Sequence, residues 1–563
     1  MANNDIWQFS CPALSAEQCR VLAFSGEDKI SEGYAFNILL AASGVKPEDA
    51  RKTQENLLKS SLVTLRGRTK TNAQSFAWNG LLTEVSWLFS AQGGSVFSVL
   101  LQPRSARLRL SVHSRIFLSM SLPQICSKLL SHENLSVNSD FSVELKTKYT
   151  TRPFTCQYDE SAFNFLARHL ERAGAYSYIR QTDGGDALVL ADAQTSVEAL
   201  PLRDTLDWTD DKADEALLTF VHTLSAQPDT VTLRDYCTEK PGVTTQTVSD
   251  KNGLWGKCEY NLFGGLDLFG ELDCFSKDFT PEDASARVKE LAEARLRALK
   301  SLSDRAKGRS AIPWLRTGYS ITLNNEKYQL LSIEHQCAQA GDGIEKNLLE
   351  QARQAGFGAR FGARAANAGY SNSFVCHPLG TGAYAPLPHT PRPVISGLVS
   401  VAVDAGGTGK YAEVDNKGRY KIKFHFAENV IHADSDDTRD GNNSMPLRMM
   451  QSHAGSDSGI HFPLLKGVEA LAAFVEGDPD RPLLVGALPN PDQPSVVKDE
   501  NQQSNMIRTP GGHQITLTDT EGMENMTMGT PGGHKIIMHD ENGKRHISLE
   551  SPCGGSYLRI KEQ

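Results

Sequence analysis

"TPGGHQITLTDTEGMENMTMGTPGGHKIIMHD" runs from Thr509 to Asp540 and holds one phrase twice, first at Thr509 and again at Thr530, 21 residues on. A blurred third copy, "SPCGGSYLRIKE", starts at Ser551 after another 21 residues. A fixed period with strand–turn–strand content marks a β-solenoid or β-array. Apolar residues alternate inside each unit as Ile515/Leu517, Met526/Met528, Ile536/Met538 and Ile547/Leu549. Turns separate them, notably Pro510-Gly511-Gly512 and Pro531-Gly532-Gly533. One such unit cannot bury its own apolar side, and a lone two-stranded ribbon is marginal in water. Three chains wrapped together would share that side along one axis and give every strand edge a neighbour. The period therefore predicts that the tail, Val496 to Gln563, is a rigid rod or prism shared by three chains, with a frayed, weakly ordered tail as the alternative.

Upstream, residues 395–490 read as all-β. In "RYKIKFHF", Tyr420, Ile422, Phe424 and Phe426 alternate with Lys421, Lys423 and His425, as a half-buried antiparallel strand requires. "GLVSVAVDAGGTG", "MPLRMM", "GVEALAAFVEG" and "RPLLVGAL" supply further strands. So many strands in so short a segment predict a small barrel, of which the five-stranded OB type is one. Between two of them lies Glu476-Gly477-Asp478-Pro479-Asp480-Arg481-Pro482. Gly477 permits a tight backbone, and Pro479 and Pro482 hold their predecessors extended. Arg481 is placed for charge-assisted bonds to Asp478, Asp480 or Glu476. This reads as a structural turn.

The first 375 residues mix strands with a few helices. Tyr34–Ala42, Ser61–Arg68, Phe76–Phe89 and Ser95–Arg104 read as strands. In "QYDESAFNFLARHLERAGAYSYI", Phe163, Leu166, Leu170 and Ala173 recur at helical spacing. Asp159 or Ser161 can cap the start, and Gly174 is placed to end the helix left-handed. A longer helix opens at Thr280-Pro281 and is expected to close at Lys307-Gly308. A hairpin turns at Asn324-Asn325, a Gly/Ala-rich linker spans Gly356 to Ser373, and a proline-rich connector covers 376–394.

At 563 residues the chain holds several domains, and its net charge of −9 disfavours a nucleic-acid partner needing a basic face. Ten cysteines are scattered without a CxxC pair, which fits reduced thiols in a cytosolic protein. "MANNDIWQFSCPALSAEQ" has no basic start and no apolar core, so no secretory signal is expected. The expected place is the cytoplasm during assembly, with any exit made without a signal peptide.

Catalytic and cofactor patterns are missing. There is no GxSxG elbow and no HExxH; "HENLS" at His132 lacks the second histidine. "DAGGTGKY" has Asp404 where a P-loop begins with glycine and Tyr411 where it ends in Ser or Thr. Within the acidic loop 432–443, Asp436, Thr438, Asp440 and Gly441 fit a calcium loop loosely, but Leu447 stands where its glutamate belongs. His513 and His534 hold equivalent places in successive repeats and read as outer or turn positions rather than metal ligands. Lys421, Lys423 and His425 make only a modest basic strip. No enzymatic activity, cofactor or metal is expected. About twenty residues link barrel to needle, too few for an inserted hydrolase domain.

"FVEGDPDRPLLVGALPN" resembles the most characteristic motif of the VgrG (Rhs element Vgr) family, spike proteins of type VI secretion systems. "FSGEDKISEGYAFNILL", "GLLTEV", "HSRIFLSMSLPQI", "CQYDESAFNFLARHLERAGAYSYI" and "DNKGRYKIKFHF" resemble it too, in the right order over nearly the whole chain. "HAGSDSGIHFP" is a looser match, and the acidic loop is particular to this chain. The resemblance implies a mainly β fold with some α. It implies a phage tail hub-like domain of barrel-like parts (1–375), then an OB-fold (395–490), then a trimeric β-helix or β-prism needle (491–563). It implies a homotrimeric, non-enzymatic, membrane-puncturing tip. Implied partners are an Hcp-like tube hexamer, a PAAR-type tip protein, secreted effectors or their adaptors, baseplate components and the target envelope. A phage or phage-like injection particle is the alternative machine. A cell-wall hydrolase is the alternative of a different class.

Overall fold

Long runs of alternating apolar residues give the N-terminal region its sheet. The structure is a computed structural model. It describes residues 6–70, 73–91, 93–206, 215–237, 242–250, 256–261, 281–339, 343–354, 369–404, 409–432, 443–552 and 557–561. An 11-stranded sheet starts at Trp7–Ser10 and passes through Val63–Arg68, Ser75–Ala91, Gly94–Gln102, Gly33–Ser43 and Cys19–Lys29. It continues through Glu326–Ala338, Gly369–Pro378 and Asp304–Ser310 to Leu217–Leu224, and the eleventh strand, Ser320–Leu323, pairs with Glu326–Ala338 off this path. Strands from both ends of this region therefore share one sheet, around Trp7, Phe24, Phe36 and Trp78. Among the described residues no helix is long and apolar enough to cross a membrane.

Two local expectations hold in detail. Ser161 caps the helix Ala162–Arg172, accepting the Asn164 N–H at 3.1 Å, and Gly174 follows at φ 68°. Asn324 and Asn325, at φ 49° and 65°, turn the hairpin between Ser320–Leu323 and Glu326–Ala338.

Two others are corrected. The long helix, Pro281–Ser303, stops short of Lys307 and Gly308, which lie in the strand Asp304–Ser310. Gly308 is needed there, because a Cβ would come within 2.2 Å of the Phe374 ring on the paired strand. Its proposed cap, Thr280, lies outside the described residues. The linker reading fails from Gly369 onward: Gly369–Pro378 is a core strand, with Asn372 and Phe374 buried. It also crosses the predicted 375/376 boundary. The rest of that linker, residues 405–408 of the P-loop mimic and the calcium-like positions Asp436–Gly441 lie outside the described residues.

The segment after residue 395 forms an open four-stranded sheet in the order Lys421–Phe424, Leu398–Asp404, Glu469–Phe474, Pro482–Ala487. Among the described residues it is not a closed barrel. "MPLRMM" makes no ladder, since Pro446 lacks an N–H to donate. Leu447 instead bridges Tyr420, and Met449 bridges Leu484, drawing the two edges together through single pairs. A further strand, Asn429–His432, leaves the segment and pairs in parallel with Val112–Met120. The core is accordingly shared: Tyr420, Ile422 and Phe424 pack with Ile116, Leu118 and Phe154.

The tail is a six-stranded antiparallel meander of five-residue strands: Ser504–Arg508, Gln514–Thr518, Asn525–Gly529, Lys535–His539, His546–Glu550 and Tyr557–Lys561.

Candidate functional site: a buried charge junction and an exposed apolar sheet

The turn Glu476–Pro482 is first held by its own backbone. The Asp478 N–H donates to the Val475 carbonyl at 3.1 Å, and the Arg481 N–H to the Asp478 carbonyl at 2.9 Å. Gly477 takes φ 70°, and a Cβ there would lie 2.5 Å from Val394 Cγ1. Its carbonyl accepts the Ile395 N–H at 2.9 Å. The turn is thus pressed against the end of the proline-rich connector.

Asp478 and Asp480 point inward from this turn. Asp478 pairs with Arg392 and accepts the Asp480 N–H at 3.0 Å. Asp480 accepts the Cys156 N–H at 2.7 Å, and its other oxygen lies 3.9 Å from Arg168 and 3.8 Å from Arg172. Those two arginines sit one turn apart on the helix Ala162–Arg172, so both reach the same carboxylate. Arg168 also clamps Glu160, with Nε at 3.0 Å from one oxygen and Nη2 at 2.8 Å from the other. Glu171 faces the connector, accepting the His389 and Thr390 N–H groups, each at 2.9 Å, and the Thr390 hydroxyl at 2.7 Å.

Burial dominates the electrostatics. It raises the Asp480 carboxyl against the pull of Arg168, and it raises Glu160 likewise. It brings Arg172 down to about 10. Burial opposes the charge on Arg168 as well, but Glu160 and Asp480 outweigh it and leave that group raised. His169 is held well below the usual histidine range by burial and then by Arg168, Arg152 and Arg172. Arg152 donates to its Nδ1 at 3.0 Å, which suits a neutral ring. Charge-assisted bonds thereby fasten three distant stretches: the helix, the connector and the Glu476–Pro482 turn.

The sequence offers Arg481 as a partner for Asp478, Asp480 or Glu476. The ion-pair partners of Asp478 and Asp480 include Arg392, Arg168 and Arg172, none of which lies in the motif. The one available signal was the density of charge in "RHLER", on a helix that its apolar spacing already marks as core.

The repeat turns behave as stacking units. In the first, the Thr509 N–H donates to the His513 carbonyl at 2.8 Å and the Gly512 N–H to the Thr509 carbonyl at 2.9 Å. The second repeats this from Thr530 to His534, with both bonds at 3.0 Å. Gly512 and Gly533 take φ 88° and 86°. Each packs on the proline of the next copy: a Cβ at Gly512 would meet Pro531, and one at Gly533 would meet Pro552, at 3.2 Å. Pro510, Gly511, Pro531, Gly532, His513 and His534 lie at these turns, and both histidines are exposed.

The sheet between the turns is inside out. Register puts Ile507, Ile515, Met528, Ile536, Leu549 and Leu558 in one cross-strand row. Leu517, Met526, Met538, Ile547 and Ile560 continue from Asn505 in the second row of the same face. All of these but Ile515 and Met526, which are half-buried, are exposed, from 39% at Ile536 to 64% at Ile560. The opposite face carries polar groups such as Thr516, Thr527 and Ser548, and Ser548 is buried. Phe462, from the loop after the hairpin Ala454–Gly459, lines the apolar groove at its upper end.

The family model for the phage tail baseplate hub (GPD) matches residues 27–341. The chain belongs to this hub family. It is also similar to the type VI secretion system spike protein VgrG5 of Pseudomonas aeruginosa, 27% identical over 83% of this chain and 55% of that protein. VgrG1a of the same organism is 25% identical over 86% of this chain and 70% of that protein. Across the first three such relatives, this hub protein spans about half of their length. Its fold resembles the E. coli c3393 protein, a type VI secretion component described as similar to the T4 phage tail proteins gp27 and gp5. That match has a TM-score of 0.54 at 19% identity, over 85% of this chain and 99% of that one. It also resembles the Francisella PdpA–VgrG complex, with a TM-score of 0.59 at 11% identity, over 97% of this chain and 79% of that one.

Proposed function

We propose that this hub-family chain is the spike of a type VI secretion system, acting mechanically as a homotrimer and not as an enzyme. The spike relatives and the hub family support the machine. The observation that carries the assembly is the exposed double row from Ile507 to Leu558 and from Leu517 to Ile560. An apolar sheet face this large stays in water only until a partner covers it. A repeat with identical faces is covered most simply by two further copies around a threefold axis. The wide N-terminal region then caps an Hcp-like tube ring beside baseplate components, the 395–490 segment narrows the assembly, and the tail forms the needle. A PAAR-type protein on the needle end, and effectors or adaptors carried with it, complete the partner set. The assembled spike is delivered through the target envelope.

Light scattering on a sizing column tests the assembly, comparing the full chain with one ending at Pro489. Three chains for the full protein, and loss or weakening of that state in the shorter one, is the expected result. A monomeric full chain overturns it. Peptidoglycan zymography tests the non-enzymatic part, and a clearing zone from pure protein would reverse it.

A further inference from the structure

Another cleft, of about 630 Å³, opens in the N-terminal region away from both features above. Arg316, only 8% exposed, lines its interior. Arg66 reaches it from the strand Val63–Arg68, and both aromatic side chains such as Phe76 and Trp314 and polar ones such as Asn79 and Gln181 line it.

The two guanidinium groups set its chemistry. Arg316 lies over the Trp78 ring, 4.8 Å from the centroid, and donates from Nη2 to the Ala77 carbonyl. Asp28 is the carboxylate whose charge it feels. Both Asp28 oxygens are already bonded to Thr317, at 3.0 Å from its N–H and 2.8 Å from its hydroxyl. Burial lowers the Arg316 pKa against the opposing pull of Tyr319 and Asp28. Taking an ion out of water is costly unless a partner offsets it. An arriving carboxylate would supply that partner, and its geometry matches the guanidinium fork.

Size and surroundings narrow the ligand. The cleft holds roughly twenty water volumes, far more than one carboxylate fills. The remaining wall is mixed: Thr64, Asn79, Gln181 and Thr182 can meet peptide polar groups, beside the apolar Phe76, Trp314 and Leu202. Asp183 at the rim repels a second negative group, which disfavours polyanions. Val63–Arg68 is already paired on both sides, so a ligand cannot join as an added strand. We propose that this cleft binds a carboxylate on an acidic segment of a partner protein. Arg316 and Arg66 hold the carboxylate, and Phe76, Trp314 and Leu202 receive the neighbouring apolar side chain. This does not depend on the spike reading.

The test is calorimetric titration of the full chain, with tryptophan fluorescence as a second readout. The probe is an acetylated, amidated pentapeptide, Ala-Leu-Asp-Phe-Ala, set against its Asn counterpart. Saturable binding of the Asp peptide alone is expected, weakened by about tenfold or more in Arg66→Gln. Arg66 is exposed and its strand is held through backbone bonds, so this variant should fold; Arg316→Met is the more severe companion. Equal binding of both peptides, indifference to Arg66→Gln, or no saturation up to about 5 mM overturns the proposal. Binding of inorganic phosphate without binding of the peptide also overturns it, leaving a simple oxyanion site.

Discussion

Asp480 accepts the Cys156 N–H at 2.7 Å across 324 residues of chain. The same carboxylate faces Arg168 and Arg172, so one side chain ties the Glu476–Pro482 turn to the N-terminal helix by both charge and backbone. Asp480→Ala leaves two buried guanidinium groups short of their partner. Breaking a buried pair in this way costs about 3–5 kcal/mol. Asp480→Asn keeps an oxygen for Cys156 and should lose less. Chemical denaturation of both variants measures the difference, and a loss under about 1 kcal/mol for the alanine variant would show that the junction is dispensable.

Gly477 and Gly467 separate strain from clash. Both take positive φ, 70° and 75°, but a Cβ at Gly477 meets Val394 at 2.5 Å while one at Gly467 meets nothing within 4 Å. Gly467→Ala should cost about 1 kcal/mol, for conformation alone. Gly477→Ala should cost about 2–4 kcal/mol, because the connector must also move. Equal thermal shifts in the two variants would contradict the close approach of turn and connector.

Two histidines should make stability fall in mild acid. Burial, then Arg316, depresses His335 to about 3. Burial and three arginines hold His169 well below its usual value. As pH drops below about 6.5 the unfolded chain takes up these protons and the folded chain does not, so stability falls by about 1.4 kcal/mol per pH unit for each histidine. That stability is fully present above the unfolded value and is lost on the way down toward the folded one. An NMR titration checks this directly: the His335 ring signal should stay unshifted from pH 7.5 to about 4.5. A midpoint near 6.5 would remove the argument.

What could be read in the sequence was local and periodic. The Ser161 cap, the Gly174 stop and the Asn324-Asn325 turn depend on a few neighbouring residues, and the apolar pairs of the tail on a strict alternation. Asn372, hidden in a Gly/Ala-rich stretch, and Phe374, just after it, are missed because their strand forms only against Asp304–Ser310 and Glu326–Ala338. Gly308 misled for the same reason: after a helical run a glycine signals an end, yet here it makes room for Phe374. The motif turn was legible as a turn, but its charge partners were not. Arg168, Arg172 and Arg392 approach Asp478 and Asp480 through tertiary packing that no spacing encodes.

The tail offers the sharpest contrast between neighbouring positions. Ile536 lies on the apolar face and is 39% exposed in the single chain, whereas Arg508 lies on the polar face. In a trimer, Ile536→Glu would place three carboxylates together near one axis. It would also forfeit the burial of three isoleucines, each worth about 1.5–3 kcal/mol when complete. Light scattering should therefore report loss of the three-chain mass for Ile536→Glu. Arg508→Glu reverses a charge of similar size on the outer face and should keep that mass, since solvated surface charges contribute little. If both variants remain trimeric, the apolar rows are not the contact between copies and the assembly must rest on the N-terminal region alone. If both dissociate, the polar face is part of the contact too, and the chains interlock rather than meet along a single seam.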